Sequence, residues 1–256
     1  MIFATDGYGV LAPDYIGLGH GEKKHLYCHA DSEAEAGIDF MNVIDGFNKD
    51  IGLKRNEQIF ITGYSQGGHS AMALHIKLQN EYADKYPVTA SSPMSGPYDL
   101  AETQASVMFE EYPQPHYLPY LLIGMNAAYN IWPEEEFYNV FKSPYDSIIP
   151  TLFQGNHSYK DINEALPKVP KDMLKDKLVN EYINNPDFFF NKLMKENSVH
   201  DWKPEAPVQL CYCEADEEVK FENAIVAHAK MKENGAKHVK LRPVGKKYSH
   251  RQCADY

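Results

Sequence analysis

Ser65 lies between Gly63 and Gly67 in the run Gly-Tyr-Ser-Gln-Gly, directly after the apolar stretch Ile59-Phe60-Ile61-Thr62. After it, Ala71, Leu74 and Leu78 recur at helical spacing. A strand running into a sharp turn, with a helix leaving it, would project the Ser65 hydroxyl above the end of a sheet. Glycines flank such a serine because the strained turn brings neighbouring backbone too close for side chains. With sixteen glycines in the chain the five-residue pattern can arise by chance, and a serine in a glycine-rich loop is the plain alternative. A serine hydroxyl is also a weak nucleophile without a base, and the base needs a carboxylate to orient it. The partners therefore decide the question.

Asp216 lies just after the apolar run Val208 to Cys213, and His250 lies in the loop after the run His238 to Val244. The order is serine, acid, histidine, each at the end of a candidate strand. The 34 residues from Asp216 to His250 leave room for one helix and one strand between them. Glu214, Glu217 and Glu218 crowd the acid position. Asp216 is preferred because it is short and sits at the crest of the loop, with Asp99 in reserve after an earlier strand. Of the eleven histidines, His69 and His75 fall on the helix after Ser65, where a surface or packing role is the default. His25, Cys28 and His29 form the only metal-like cluster, and without a distant second pair of ligands it makes a poor zinc site, so no metal is expected.

These residues need a scaffold, and the 256-residue chain reads as one that can supply it. Tyr8 to Ala12 reads as a buried strand stopped by Pro13-Asp14. Ser32 and Glu35 suggest a capping box, followed by Ala36, Phe40, Val43 and Phe47 on one helical face and Gly52 as a stop. Strands follow at Ile59 to Thr62, Val88 to Ser91, Val208 to Cys213 and His238 to Val244. A helix carrying Phe221, Ile225, His228 and Met231 inward and closed by Gly235 precedes the last of them. Between about 101 and 203, aromatics and prolines crowd together with few strand-like runs. The expectation is an α/β fold: a mostly parallel sheet flanked by helices, with a core from 1–100 and 204–256 and a helical lid insertion at 101–203.

Composition narrows the function. Hydrophobic residues at 43% and charged residues at 24% are ordinary for a globular protein, and a net charge of −11 with no basic stripe argues against nucleic acid as a partner. No segment has the apolar length of a membrane-spanning helix. The opening MIFATDGYGV lacks the basic region and apolar core of a signal peptide, and the compartment is not readable. Four cysteines do not make a disulfide framework; one bridge between the 211–213 segment and Cys253 is compatible with the sequence.

"GYSQGGH" after "IFIT", "VLAPDYIGLG", "SGPYDL", "EADEEV" and the closing "SH..C" resemble the α/β-hydrolase superfamily, in particular its bacterial secretory-lipase and prolyl-oligopeptidase-like serine esterases. The resemblance implies Ser65 as nucleophile, Asp216 as acid, His250 as base and the backbone N–H of Gln66 as one oxyanion-hole donor. It also implies ester or lipid substrates and no cofactor. A serine peptidase, or a hydrolase fold that only binds, are the alternatives. Members of that family carry about three strands before the one matched by "VLAPDY", and the loop after the third supplies a second oxyanion donor. Only seven residues precede Tyr8 here. A truncated sheet is therefore expected, with the "VLAPDY" and "IFIT" strands pairing directly or leaving an open slot.

Overall fold

The computed structural model of the protein describes residues 2–256. Its centre is a four-stranded, wholly parallel sheet of β1 (Phe60–Tyr64), β2 (Ala90–Met94), β3 (Val208–Cys213) and β4 (Val239–Gly245), in the order β1-β2-β3-β4. Parallel strands require a crossover between each pair. Ahead of β1 lies α1 (Ala30–Asp50), and α2 (Gln66–Glu81) connects β1 to β2. The long link from β2 to β3 contains α3 (Tyr117–Tyr129), α4 (Tyr145–Leu152), α5 (Tyr159–Ala165), α6 (Asp176–Asn184) and α7 (Phe189–Glu196), with shorter helical turns between them. After β3, α8 (Glu222–Glu233) leads to β4, and the chain closes with α9 (His250–Cys253). All four strands thus point their carboxyl ends to one edge of the sheet, where ligands of open α/β sheets bind.

The expected strand at Tyr8 to Ala12 does not form. The segment carries no ladder, and Tyr8 and Val10 are 51% and 40% exposed. A strand exists only by pairing, and among the described residues nothing pairs with the outer edge of β1; Tyr8 touches that edge only through an edge-on ring contact with Phe60 at 5.9 Å. The slot beside β1 is open. The strand expected at 88–91 begins two residues later, at Ala90, because its ladder partners on β1 start at Phe60.

Helix α1 corrects the sequence reading twice. Its N-cap is His29, whose Nδ1 accepts from the Ser32 N–H at 3.3 Å, so Ser32 and Glu35 lie inside the first turns and form no capping box. Its buried face carries Ala34, Ile38 and Met41, whereas Val43 and Phe47 of the expected face are 63% and 56% exposed. The sequence offers two apolar stripes roughly opposite each other, and contact with α2 selects one. Gly37 meets Leu74 so closely that a Cβ there would lie 2.9 Å from a Leu74 methyl carbon. On α8 the buried face is Ala224, Ala227 and Met231, with Phe221 stacked on Tyr212 and Ile225 turned outward against expectation. Gly235, at φ +85°, follows the end of α8 as expected.

The 101–203 stretch is helical: among its described residues there is no strand, only an isolated bridge between Phe141 and Leu174. Phe137, Phe141, Ile149 and Met173 are almost wholly buried in a cluster that also takes in Leu118, Leu122 and Met125 of α3 and, from outside the stretch, Cys28 and Leu100. No helix among the described residues is long and apolar enough to cross a membrane.

His69 and His75, expected at the surface or in packing roles, are both fully buried on α2. His75 Nδ1 meets the Ser91 hydroxyl at 2.8 Å, and its ring stands edge-on to Trp202. Burial alone lowers its pKa from 6.5 to about 4. The folded protein thus keeps His75 neutral while the unfolded chain protonates it, so its contribution is present above pH 6.5 and lost as pH falls towards 4. Urea unfolding followed across this window should show a shallower fall in stability for His75→Gln than for the wild type.

Candidate active site

Ser65 sits at the junction of β1 and α2 with φ 59° and ψ −124°, a backbone region that non-glycine residues rarely adopt. Three close approaches hold it there. A Cβ on Gly63 would lie 2.0 Å from the carbonyl oxygen of Gly67, and one on Gly68 would lie 2.5 Å from that of Met94. The Ser65 N–H donates to that same Met94 oxygen at 3.0 Å. The turn is thereby pinned between β1 and the end of β2, and α2 begins at once with Gln66.

The serine does not stand alone. Its Oγ is 2.9 Å from His250 Nε2, and His250 Nδ1 is 2.7 Å from Asp216 Oδ2. A carboxylate at Nδ1 fixes the proton on that nitrogen and leaves the Nε2 lone pair free to accept from the serine hydroxyl. The Asp216 and His250 side chains are 1% and 7% exposed, so this chain of hydrogen bonds runs largely out of water. The other Asp216 oxygen accepts the backbone N–H groups of Glu218 at 3.0 Å and Val219 at 2.8 Å, which locks the carboxylate in place.

The crowded acid loop sorts into separate tasks. Glu217 accepts the His250 backbone N–H at 2.9 Å. Glu218 is buried and binds Gln114 Nε2 and the Tyr117 hydroxyl, tying the acid loop to the start of α3. Glu214 points outward, 3.9 Å from Lys246. Asp99, the reserve acid, is occupied elsewhere: its carboxylate accepts the N–H groups of Glu102 and Thr103 and the Thr103 hydroxyl.

Two further features frame His250. Tyr64 donates its hydroxyl proton to the His250 carbonyl oxygen, and its ring lies 4.9 Å from the imidazole. Burial pushes the Tyr64 phenol well above its usual pKa of 10, so it stays a donor. A disulfide joins Cys213 at the end of β3 to Cys253 on α9, three residues before Asp216 and three after His250. That is the bridge the sequence allowed. Tyr64 was legible only as the residue before the serine, and nothing in its spacing signalled a contact with position 250.

Gln66 occupies the first position of α2, where its N–H has no carbonyl of its own helix to meet and lies beside Ser65. Helix N-termini favour negative charge, so this is where an oxyanion would gain most. A cavity of about 250 Å³ opens beside His250, walled by Gln114, His116, Tyr117, Tyr159, Glu218 and Arg251. Behind Tyr117 and Glu218 lies an apolar slot that includes Tyr27, Leu100, Met108, Leu121 and Met194.

His25, Cys28 and His29, read from the sequence as a poor metal site, do not converge as a set among the described residues. Instead Cys28, Glu33 and His69 bring their donor atoms within 4.8 Å of one another, but Glu33 and His69 are bonded to each other at 2.7 Å.

No family model matches the chain, and no curated protein matches it in sequence. Solved structures do. A crystal structure of a candidate hydrolase from Legionella pneumophila superposes with a TM-score of 0.88 at 29% identity, over 97% of this chain and 67% of that one. The rice cell wall degrading esterase LipA from Xanthomonas oryzae gives 0.81 at 28% identity, over 94% of this chain and 64% of LipA. Candida antarctica lipase A gives 0.65 at 15% identity, over 88% of this chain and 51% of that one, a likeness of fold alone. The chain has the α/β-hydrolase fold, and it spans about two thirds of the length of LipA.

The disulfide gives a direct test of how the acid and base segments are held together. Replacing both Cys213 and Cys253 by alanine should cost about 2–4 kcal/mol of stability, read as a lower urea midpoint than that of the oxidised wild type.

Proposed function

We propose that the protein hydrolyses carboxylic esters of small molecules or lipids through an acyl-enzyme, with Ser65 as nucleophile, His250 as general base and acid, and Asp216 as the orienting carboxylate. The observation that carries this reading is the unbroken chain from Ser65 Oγ through His250 to Asp216. The likeness to the LipA esterase supports it. Ser65 Oγ attacks the ester carbonyl carbon while His250 Nε2 takes its proton, and the carbonyl oxygen becomes an oxyanion facing the Gln66 N–H. Collapse breaks the bond to the alcohol, whose oxygen receives the proton from His250. Water then repeats the sequence on the acyl-serine, releasing the acid and restoring Ser65. None of these steps calls on a metal or organic cofactor.

The same reading assigns 1–100 and 204–256 to the catalytic core and 101–203 to a helical lid. The cavity beside His250 offers room for part of the substrate, and the hydrogen bond between Tyr117 and Glu218 in its wall joins lid to core. The apolar slot beyond that wall, lined by Leu100, Met108, Leu121 and Met194, is suited to an acyl chain.

Ser65→Ala should lower turnover of p-nitrophenyl esters by about 10⁴ or more while the protein stays folded. A fluorophosphonate probe should label the wild type at Ser65 and leave the variant unlabelled. Unchanged ester turnover in the variant would refute the mechanism. No labelling of the folded wild type would point to a binding module, and faster cleavage of a peptide anilide than of a short ester would point to a peptidase.

A further inference from the structure

Beneath the Ser65 turn lies a buried ion pair that the mechanism above does not use. Glu33 of α1 is 2% exposed, and its carboxylate has three partners. Oε1 accepts from Gln66 Nε2 at 2.7 Å and from the Cys28 N–H at 3.2 Å, and Oε2 meets His69 Nδ1 at 2.7 Å. The other nitrogen of His69, Nε2, is 2.8 Å from the carbonyl oxygen of Asn197. Both ring nitrogens thus face oxygens that can only accept, and satisfying both requires the imidazolium form. Burial acts to lower the His69 pKa, but the Glu33 carboxylate and the Asn197 carbonyl oxygen together outweigh it and leave the group raised above its usual value. A carboxylate and an imidazolium locked together in this way add little net charge beneath the helix end.

The side chain of Gln66 is the link to Ser65. A side chain at the first position of a helix is ordinarily free to turn to solvent. Here it turns back beneath the elbow, and its single amide nitrogen meets both Glu33 Oε1 and His25 Nε2, the latter at 2.7 Å. His25 is held in turn by the Ile16 carbonyl oxygen at 3.0 Å. Asn197 extends the network, capping the Ala30 N–H of α1 with its Oδ1 at 2.9 Å. The residue whose backbone N–H would face the oxyanion is therefore gripped by its side chain from two directions.

We infer that Glu33 is a positioning residue for the hydrolytic reaction: by holding the Gln66 side chain it fixes the backbone N–H of Gln66 relative to Ser65, and His69 serves to neutralise it. This rests on the reading of Ser65 as nucleophile. A group that positions a transition-state donor should act on turnover and leave substrate binding largely alone.

The test is a double-mutant cycle of Glu33→Gln and Gln66→Ala, with kcat, KM, fluorophosphonate labelling rate and melting temperature measured for each protein. Glu33→Gln and Gln66→Ala should each lower kcat and the labelling rate by about 10²-fold, with KM within threefold. Because one acts through the other, the double variant should be no slower than Gln66→Ala, while losses in melting temperature accumulate. Multiplying effects on kcat, or a folded Glu33→Gln protein that labels at the wild-type rate, would overturn the inference and leave the hydrolase reading intact. If Glu33→Gln does not fold, Gln66→Ala alone decides: wild-type kcat in that variant overturns the inference, and the expected loss at unchanged KM upholds it. A wild type that the probe does not label would instead sink the hydrolase reading, and the positioning role with it.

Discussion

The backbone of Ser65 is the constraint around which the rest of the structure is arranged. A non-glycine residue at φ 59° and ψ −124° is held there only if its surroundings leave no alternative. The surroundings comply through absent side chains. Gly63 lets the Gly67 carbonyl approach, Gly68 lets the end of β2 approach, and the Met94 oxygen accepts the Ser65 N–H. The same packing aims the N-terminus of α2 at the space above Ser65. Strain at the serine and a favourable field for negative charge beside it are thus two results of one junction.

Around that junction the protein spends its buried charge in two distinct places. On one side, Asp216 has two backbone N–H groups on one oxygen and the His250 imidazole on the other, while Glu217 and Glu218 hold the His250 backbone and the start of α3. On the other side, beneath α2, Glu33 and His69 neutralise each other and grip Gln66. Both arrangements satisfy every strongly polar atom they bury, which is what allows charge to persist away from water. The disulfide between Cys213 and Cys253 closes the first of them covalently.

Much of this was legible in the linear sequence. Ser65, Asp216 and His250 stand in a readable order because a parallel sheet exposes one end of every strand, so function collects at residues just past apolar runs. Asp216 could be preferred over its neighbours for its length, and the four strands that formed were all anticipated, Val208 to Cys213 with its bounds unchanged. What misled were features whose meaning depends on a partner. Tyr8 to Ala12 has the composition of a strand but forms no ladder with the free edge of β1 or with any other described strand. Val43 and Phe47 have helical spacing, yet Gly37 against Leu74 rolls α1 the other way. Ser32 and Glu35 fit a capping pattern, yet the helix had already begun at Ala30 under a histidine cap.

Sequence by itself pointed to the fold class and narrowed the candidates to Ser65, His250 and a short acidic segment around Asp216, because strand ends, glycine turns and residue order are local properties of the chain. Tertiary structure alone decided which carboxylate faces His250, which face of α1 is buried, that Asp99 caps a turn, and that Glu33, His25 and His69 converge beneath Gln66. The Asp99 turn apart, those outcomes depend on distances between segments far apart in the chain, such as the 34 residues between Asp216 and His250 and the 36 between Glu33 and His69. Spacing along a chain carries no record of such distances until packing sets them.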